Sequence, residues 1–280
     1  MHILSVMNHK GGVGKTTTTL NVAAALHESG QRVLLLDLDS QCSASFAMGL
    51  SRQELTSSPS TADVLFGKRD IIDTCYHNVW PGVDLVPASI DLAHAGLRLT
   101  PEDGGLKRLT HALSSRAVTE TYDTVLIDCP PSISVVTLNA LMASTDLLVP
   151  TVPSYLSMQG LKSIGEVVSR TRSDYDNTLA LSGIALTRIN RHRSEMEDAT
   201  REIRNHYHRN VFETAIPEDE VVEEAQKRHQ SLFTHAPRSK AAKQYRALTG
   251  EITQRWANYD AVLGGIQQPT SANTVSSSIS

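Results

Sequence analysis

The stretch Asn8-His9-Lys10-Gly11-Gly12-Val13-Gly14-Lys15-Thr16-Thr17 leaves this chain few folds to choose from. It follows an apolar run, Ile3–Met7, and opens a helix-length segment, Thr16–Ser29, that Gly30 closes as a residue suited to a left-handed C′ position. A glycine-rich turn between a strand and a helix is a phosphate cradle. Glycines at 11, 12 and 14 let backbone N–H groups approach phosphate oxygens, and the helix N-terminus adds partial positive charge. In that frame Gly11, Gly12, Val13, Gly14, Lys15, Thr16 and Thr17 surround the phosphates, Lys15 neutralises them, and the Thr16 hydroxyl ligates Mg²⁺.

Further apolar runs at Val33–Leu36, Thr124–Ile127, Leu147–Val152, Leu181–Leu186 and Val211–Ile216 are apolar throughout rather than alternating, as strands buried on both faces require. With a helix expected over Leu161–Arg172, the pattern predicts an α/β chain: a doubly wound, mainly parallel sheet flanked by helices. The Ser/Thr-rich stretch Ser51–Thr61 is expected to loop. Residues 1–264 are expected to form a single domain, followed by a disordered tail over 265–280.

Two of the strands end in carboxylates. Asp37 and Asp39 project to one side of an extended chain, and Asp128 ends the run Thr124–Ile127 about 110 residues after the cradle. The carboxyl ends of parallel strands face the ligand crevice of a doubly wound sheet, so Asp37 and Asp39 are expected either to face it or to cap the next helix, and Asp128 is expected at the metal through water, with Thr16.

One departure from the general phosphate-loop pattern carries more information. His9 replaces the first glycine, and Lys10 stands five residues before Lys15. The segment resembles the deviant Walker A box of the ParA/MinD superfamily, K-G-G-x-G-K-T-[TS]. Asp37-Leu38-Asp39-Ser40-Gln41 resembles its D-x-D-P-Q motif with Ser40 in place of Pro, and Asp128-Cys129-Pro130-Pro131 its D-x-P-P segment. Ser239-Lys240-Ala241-Ala242-Lys243-Gln244-Tyr245-Arg246-Ala247-Leu248 is similar to the S-K-x-A-x-x-Y-x-x-L stretch of ParA proteins.

The resemblance implies an ATPase using ATP and Mg²⁺, with Lys10, Lys15 and Asp39 as its catalytic residues, Asp39 positioning the attacking water and reaching the metal through water. It implies an ATP-dependent homodimer in which Lys10 reaches the partner's phosphates, and a ParB-like adaptor that stimulates slow hydrolysis. Family contacts to the base fall in two loops, here Arg188 and Asn190, and Pro217 and Asp219, although Asn190 and the Glu218-Asp219 pair depart from the commoner family residues. These four can equally be ordinary strand-end loops.

The net charge of -4 is unevenly spread: residues 226–250 carry six basic residues and no acid, leaving the remainder at -10. An isolated basic run of this kind is ordinarily a solvated face; together with the ParA resemblance, those six, Lys227, Arg228, Arg238, Lys240, Lys243 and Arg246, are expected to contact the backbone of non-specific double-stranded DNA, with Lys240, Lys243 and Arg246 on one helix face. No helix-turn-helix fits before Ile3, which argues against operator-specific binding and predicts the short form of the family. The expected role is plasmid or chromosome partition, in a cytoplasmic, nucleoid-associated protein. A positioning ATPase for a non-DNA cargo keeps every motif. A MinD-like membrane ATPase wants a basic amphipathic C-terminal helix, which Gln267–Ser280 does not offer, and no membrane contact is expected. Cys42, Cys75 and Cys129 form no C-x-x-C pair and are expected to be reduced and structural.

Overall fold

The computed structural model describes residues 1–99, 104–190 and 193–266. Its eight strands form one sheet: β1 (His2–Val6), β2 (Val33–Asp37), β3 (Tyr76–Trp80), β4 (Val83–Val86), β5 (Thr124–Asp128), β6 (Asp146–Thr151), β7 (Ala180–Ile189) and β8 (Val211–Pro217). The order is β3-β4-β2-β5-β1-β6-β7-β8, parallel throughout except for the antiparallel β3–β4 edge. Five of the six apolar runs are inner strands and the sixth is the edge strand β8, and every residue of β2 and β5 is buried. Helices cover both faces, so hydrophobic burial rather than strand propensity holds these short segments extended.

The helices that bear on the argument are α1 (Lys15–Glu28), α2 (Ser43–Ala47), α3 (Arg52–Ser57), α4 (Val135–Ala143), α5 (Ser157–Tyr175), α6 (Ser194–Tyr207), α7 (Glu220–Lys227) and α8 (Lys240–Ile266). α1 ends as expected on a left-handed Gly30, φ 90°, whose N–H bonds to His27 O at 2.8 Å.

Two local expectations are corrected, and one pair of strands was not anticipated. Ser51–Thr61 is not a loop: α3 lies inside it, because Ser51 and Glu54 form a reciprocal capping box with bonds of 3.3 and 2.7 Å. The β3–β4 pair escapes an apolar-run reading, since β3 is half exposed and carries His77 and Asn78. The last helix reaches Ile266, two residues into the segment expected as tail; residues 267–280 lie outside the described residues.

Candidate active site

β1 delivers the chain into the glycine loop at the carboxyl end of the sheet, and α1 starts at Lys15. Gly12 and Gly14 take φ of 72° and 82°, a region where a side chain is strained, and Gly14 is the residue on which α1 is capped. A Cβ built on Gly11, Gly12 or Gly14 would meet nothing within 4 Å. The loop therefore opens a concave backbone surface onto the cavity instead of packing against protein. Val13 turns its side chain into the core, and its carbonyl accepts from Thr187 Oγ1 at 2.8 Å, which pins the loop to β7.

Lys15 is 8% exposed, and its ammonium donates to the Lys10 carbonyl at 3.4 Å. Burial lowers its pKa, while the carboxylates of Asp128 and Asp39 oppose that shift. Asp128 is buried at the end of β5 and accepts from Thr16 Oγ1 at 2.7 Å and Thr19 Oγ1 at 3.2 Å. Burial, reinforced by neighbouring Asp37, pushes its carboxyl well above the usual carboxylate range. A carboxylate so costly to ionise alone is stabilised by a cation beside it, and a dication within reach of Thr16 and Asp128 suits this chemistry.

Asp37 and Asp39 do not share the crevice. Asp37, fully buried, accepts from the Ser45 hydroxyl at 2.7 Å and the Ser45 N–H at 2.9 Å. The strand ends at Asp37 and the chain turns into α2, whose first turn takes that carboxylate. Asp39 opens the turn into α2, its carbonyl accepting from the Cys42 N–H at 2.8 Å, and lines the cavity, with Oδ1 accepting from the Gln41 N–H at 3.0 Å.

The cavity has a volume of about 1120 Å³ and runs from Gly11 and Lys15 past Asp39 to Pro217 and Asp219. Arg188, Asn190, Pro217 and Asp219 all line its far end. Arg188, at φ 51°, donates to the Gly12 carbonyl at 3.2 Å and to Glu218 at 3.2 Å; Asn190 donates to the other Glu218 oxygen at 3.1 Å. These two donors hold the Glu218 carboxyl below its ordinary range. Sequence reading gave Glu218 no site role, nor Tyr245, which lines the cavity from α8 and lies 3.4 Å from Thr18 Oγ1. For Glu218 the available signal was its departure from the residues usual at that loop.

Lys10 is exposed at the rim, its Nζ 3.4 Å from Ser154 Oγ, and does not line its own chain's cavity. The six basic residues of 226–250 are divided. Lys227, Arg228, Arg238 and Lys243 are exposed; Lys240 is exposed and lines the cavity mouth. Arg246 is held inside the protomer by Glu28 at 2.7 and 3.0 Å, by the Pro237 carbonyl at 2.8 Å, and by the Phe233 ring 4.5 Å away.

Comparison with known proteins bears on this geometry. The profile of the AAA domain family (AAA_31) matches residues 1–181. The chain is 32% identical to the chromosome partitioning protein ParA of Caulobacter vibrioides over 91% of this chain and 95% of that one. It is also 32% identical to the sporulation initiation inhibitor protein Soj of Bacillus subtilis, over 89% and 97%. Among solved structures, cobyrinic acid a,c-diamide synthase of Mycobacterium smegmatis with bound ADP and magnesium superposes with a TM-score of 0.79 at 31% identity, covering 92% of this chain and 96% of that one.

Proposed function

The chain belongs to the ParA-type P-loop ATPases of the AAA domain family, and from that membership we propose that it is a partition ATPase whose ATP-bound dimer binds DNA without sequence preference. The observation that carries the reading is the half-buried Thr16 bonded to the buried Asp128 beside an open, positive-φ glycine loop and the buried Lys15. ATP and Mg²⁺ are the cofactors this set fits. Backbone N–H groups of residues 11–17 and the Lys15 ammonium hold the phosphates, while Thr16 and Asp128 hold the metal, Asp128 through water. Magnesium neutralises charge that builds on the phosphate oxygens.

Asp39 orients the attacking water and the metal's water shell. No stronger general base faces that end of the cavity among the described residues, so turnover is slow until a ParB-like adaptor rearranges the site. Lys10, exposed at the rim, supplies its charge to the phosphates of a second copy. The bound dimer presents the exposed basic residues of 226–250, Arg246 excepted, to DNA phosphates, which makes it nucleoid-associated, and adaptor-stimulated hydrolysis releases it.

A positioning ATPase with a non-DNA cargo would use the same site. No helix among the described residues is long and apolar enough to cross a membrane. The test is binding to random-sequence duplex DNA with ATP, with ADP and without nucleotide across a salt series, with anionic liposomes in parallel. Binding that requires ATP and weakens steeply with salt supports the reading. Absence of DNA binding in every nucleotide state overturns the DNA part and leaves an ATPase with a different target.

A further inference from the structure

Away from the nucleotide cavity, Cys75, His77 and Asp84 bring a thiol sulfur, an imidazole nitrogen and a carboxylate oxygen within 4.8 Å of one another. They stand at the antiparallel edge of the sheet, where the pairing is irregular. Tyr76 pairs with Leu85 and Trp80 with Val83, so His77, Asn78 and Val79 together oppose the single residue Asp84. Insertions of this kind re-aim side chains. Asn78 takes φ 53°, its N–H donates to Asp84 Oδ1 at 2.7 Å, and His77 Nδ1 lies 2.8 Å from Oδ2. The Tyr122 hydroxyl donates to the same Oδ2 at 2.7 Å and sits 3.5 Å from Cys75 Sγ.

The donor set is one sulfur, one nitrogen and one oxygen. Zinc takes all three, whereas magnesium and calcium favour sites built of oxygen alone. We propose that Cys75, His77 and Asp84 bind one zinc ion through Sγ, Nδ1 and Oδ2, with water in the fourth tetrahedral position. Tyr122 and the Asn78 N–H orient the carboxylate, as outer-shell partners of zinc ligands do. Ligands at zinc distances stand about 3.3–3.6 Å apart, so His77 and Asp84 open by about half an ångström and the widest separation closes by about 1 Å. His77 has the freedom to move, its side chain being 62% exposed, and Cys75 lies just outside β3. On binding, the thiol proton passes to solvent, the imidazole proton leaves Nδ1 and the ring keeps one on Nε2 by exchange with water, and the His77–Asp84 hydrogen bond gives way to two coordinate bonds.

The site is independent of the nucleotide metal. Asp84 pairs with Leu34 near the amino end of β2, and Tyr122 precedes β5, whereas Asp37 and Asp128 close the other ends of those strands. Zinc here ties the two strands of the edge hairpin together, beside the Tyr122 hydroxyl that already links Asp84 to the chain entering β5, and stiffens a strand that otherwise presents an open edge.

The test uses the full-length chain, stripped with chelator and titrated with Co²⁺ and then Zn²⁺ in excess Mg²⁺. One equivalent of cobalt should give a thiolate-to-cobalt absorption band that zinc displaces. Cys75→Ser and His77→Ala should abolish the band and weaken zinc binding about 100-fold or more, and Tyr122→Phe should weaken it about 10-fold. Cys42→Ser and Cys129→Ser should keep it. His77→Ala alters an exposed side chain, and circular dichroism checks that it remains folded. No band in the parent chain, or a band of full height in Cys75→Ser or in a folded His77→Ala, overturns the assignment.

Discussion

Lys15 is a buried ammonium whose nearest countercharges, Asp128 and Asp39, do different work, and substitution separates them. Lys15→Ala removes a charged donor to phosphate and should weaken ATP binding about 10- to 100-fold by nucleotide titration. Asp39→Ala should bind ATP within about threefold of the parent while hydrolysis falls about 100-fold or more. If titration finds both variants equally unable to bind, the role given to Asp39 is wrong. That Gly11, Gly12, Gly14, Lys15, Thr16 and Thr17 meet Asp39 at one cavity, with Asp128 bonded to Thr16, was legible because phosphate chemistry needs a local spacing and each carboxylate follows an apolar run. Glu218 and Tyr245 were not: they join the cavity from more than 200 residues away, Glu218 departs from the residues usual between Pro217 and Asp219, and nothing local shows that Tyr245 on α8 faces the glycine loop's helix. Asp37 misled for a related reason: alternation puts it beside Asp39, but the turn into α2 hands it to Ser45.

At the level of elements, uniformly apolar strands announced themselves, whereas β3 and β4, short and half polar, did not; α3 was hidden by serines that read as loop but act as caps. Two junctions make testable statements. β7 carries an extra residue at Ser182, since Leu147 pairs with Leu181 and Leu148 with Gly183. A Cβ on Gly183 would stand 2.7 Å from the Phe212 ring and 2.9 Å from the Asn210 carbonyl, so Gly183→Ala should destabilise by about 1–3 kcal/mol in denaturant unfolding. At the entry of β2 and β5, Arg32 clamps Asp123 with bonds of 2.7–3.1 Å and lowers its carboxyl to about 2. A depressed carboxyl stabilises the fold above its unfolded value of about 4 and loses that effect as pH falls toward 2. Asp123→Asn should therefore melt slightly below the parent at pH 7, a small effect because the pair is exposed, and the two melting curves should converge near pH 2.

Over the whole molecule, the C-terminal elements are bonded to the phosphate-site helix. Gln226 donates to Thr17, Tyr245 meets Thr18, and the Leu232 N–H donates to Asn21. The basic residues of 226–250 thus ride on the same body as the glycine loop, and they should not act alike. Arg246→Ala should lower stability by breaking the contacts to Glu28 and Phe233, with little change in DNA affinity. Lys243→Ala should weaken ATP-dependent DNA binding and flatten its log–log salt slope by about 1 to 2 per dimer, at unchanged stability. Equal effects of the two on DNA would refute this division. The position of β1 has a consequence for biosynthesis. It emerges first, yet its neighbours are β5 and β6, through pairs such as Ser5 with Ile127 and Val6 with Leu148. At translation speeds of about 5–20 residues per second, roughly 6 to 30 s pass before those partners exist. A chain stalled on the ribosome short of Asp128 owns the glycine loop but has no sheet to hold it, so nucleotide competence comes late in synthesis although its motif comes first.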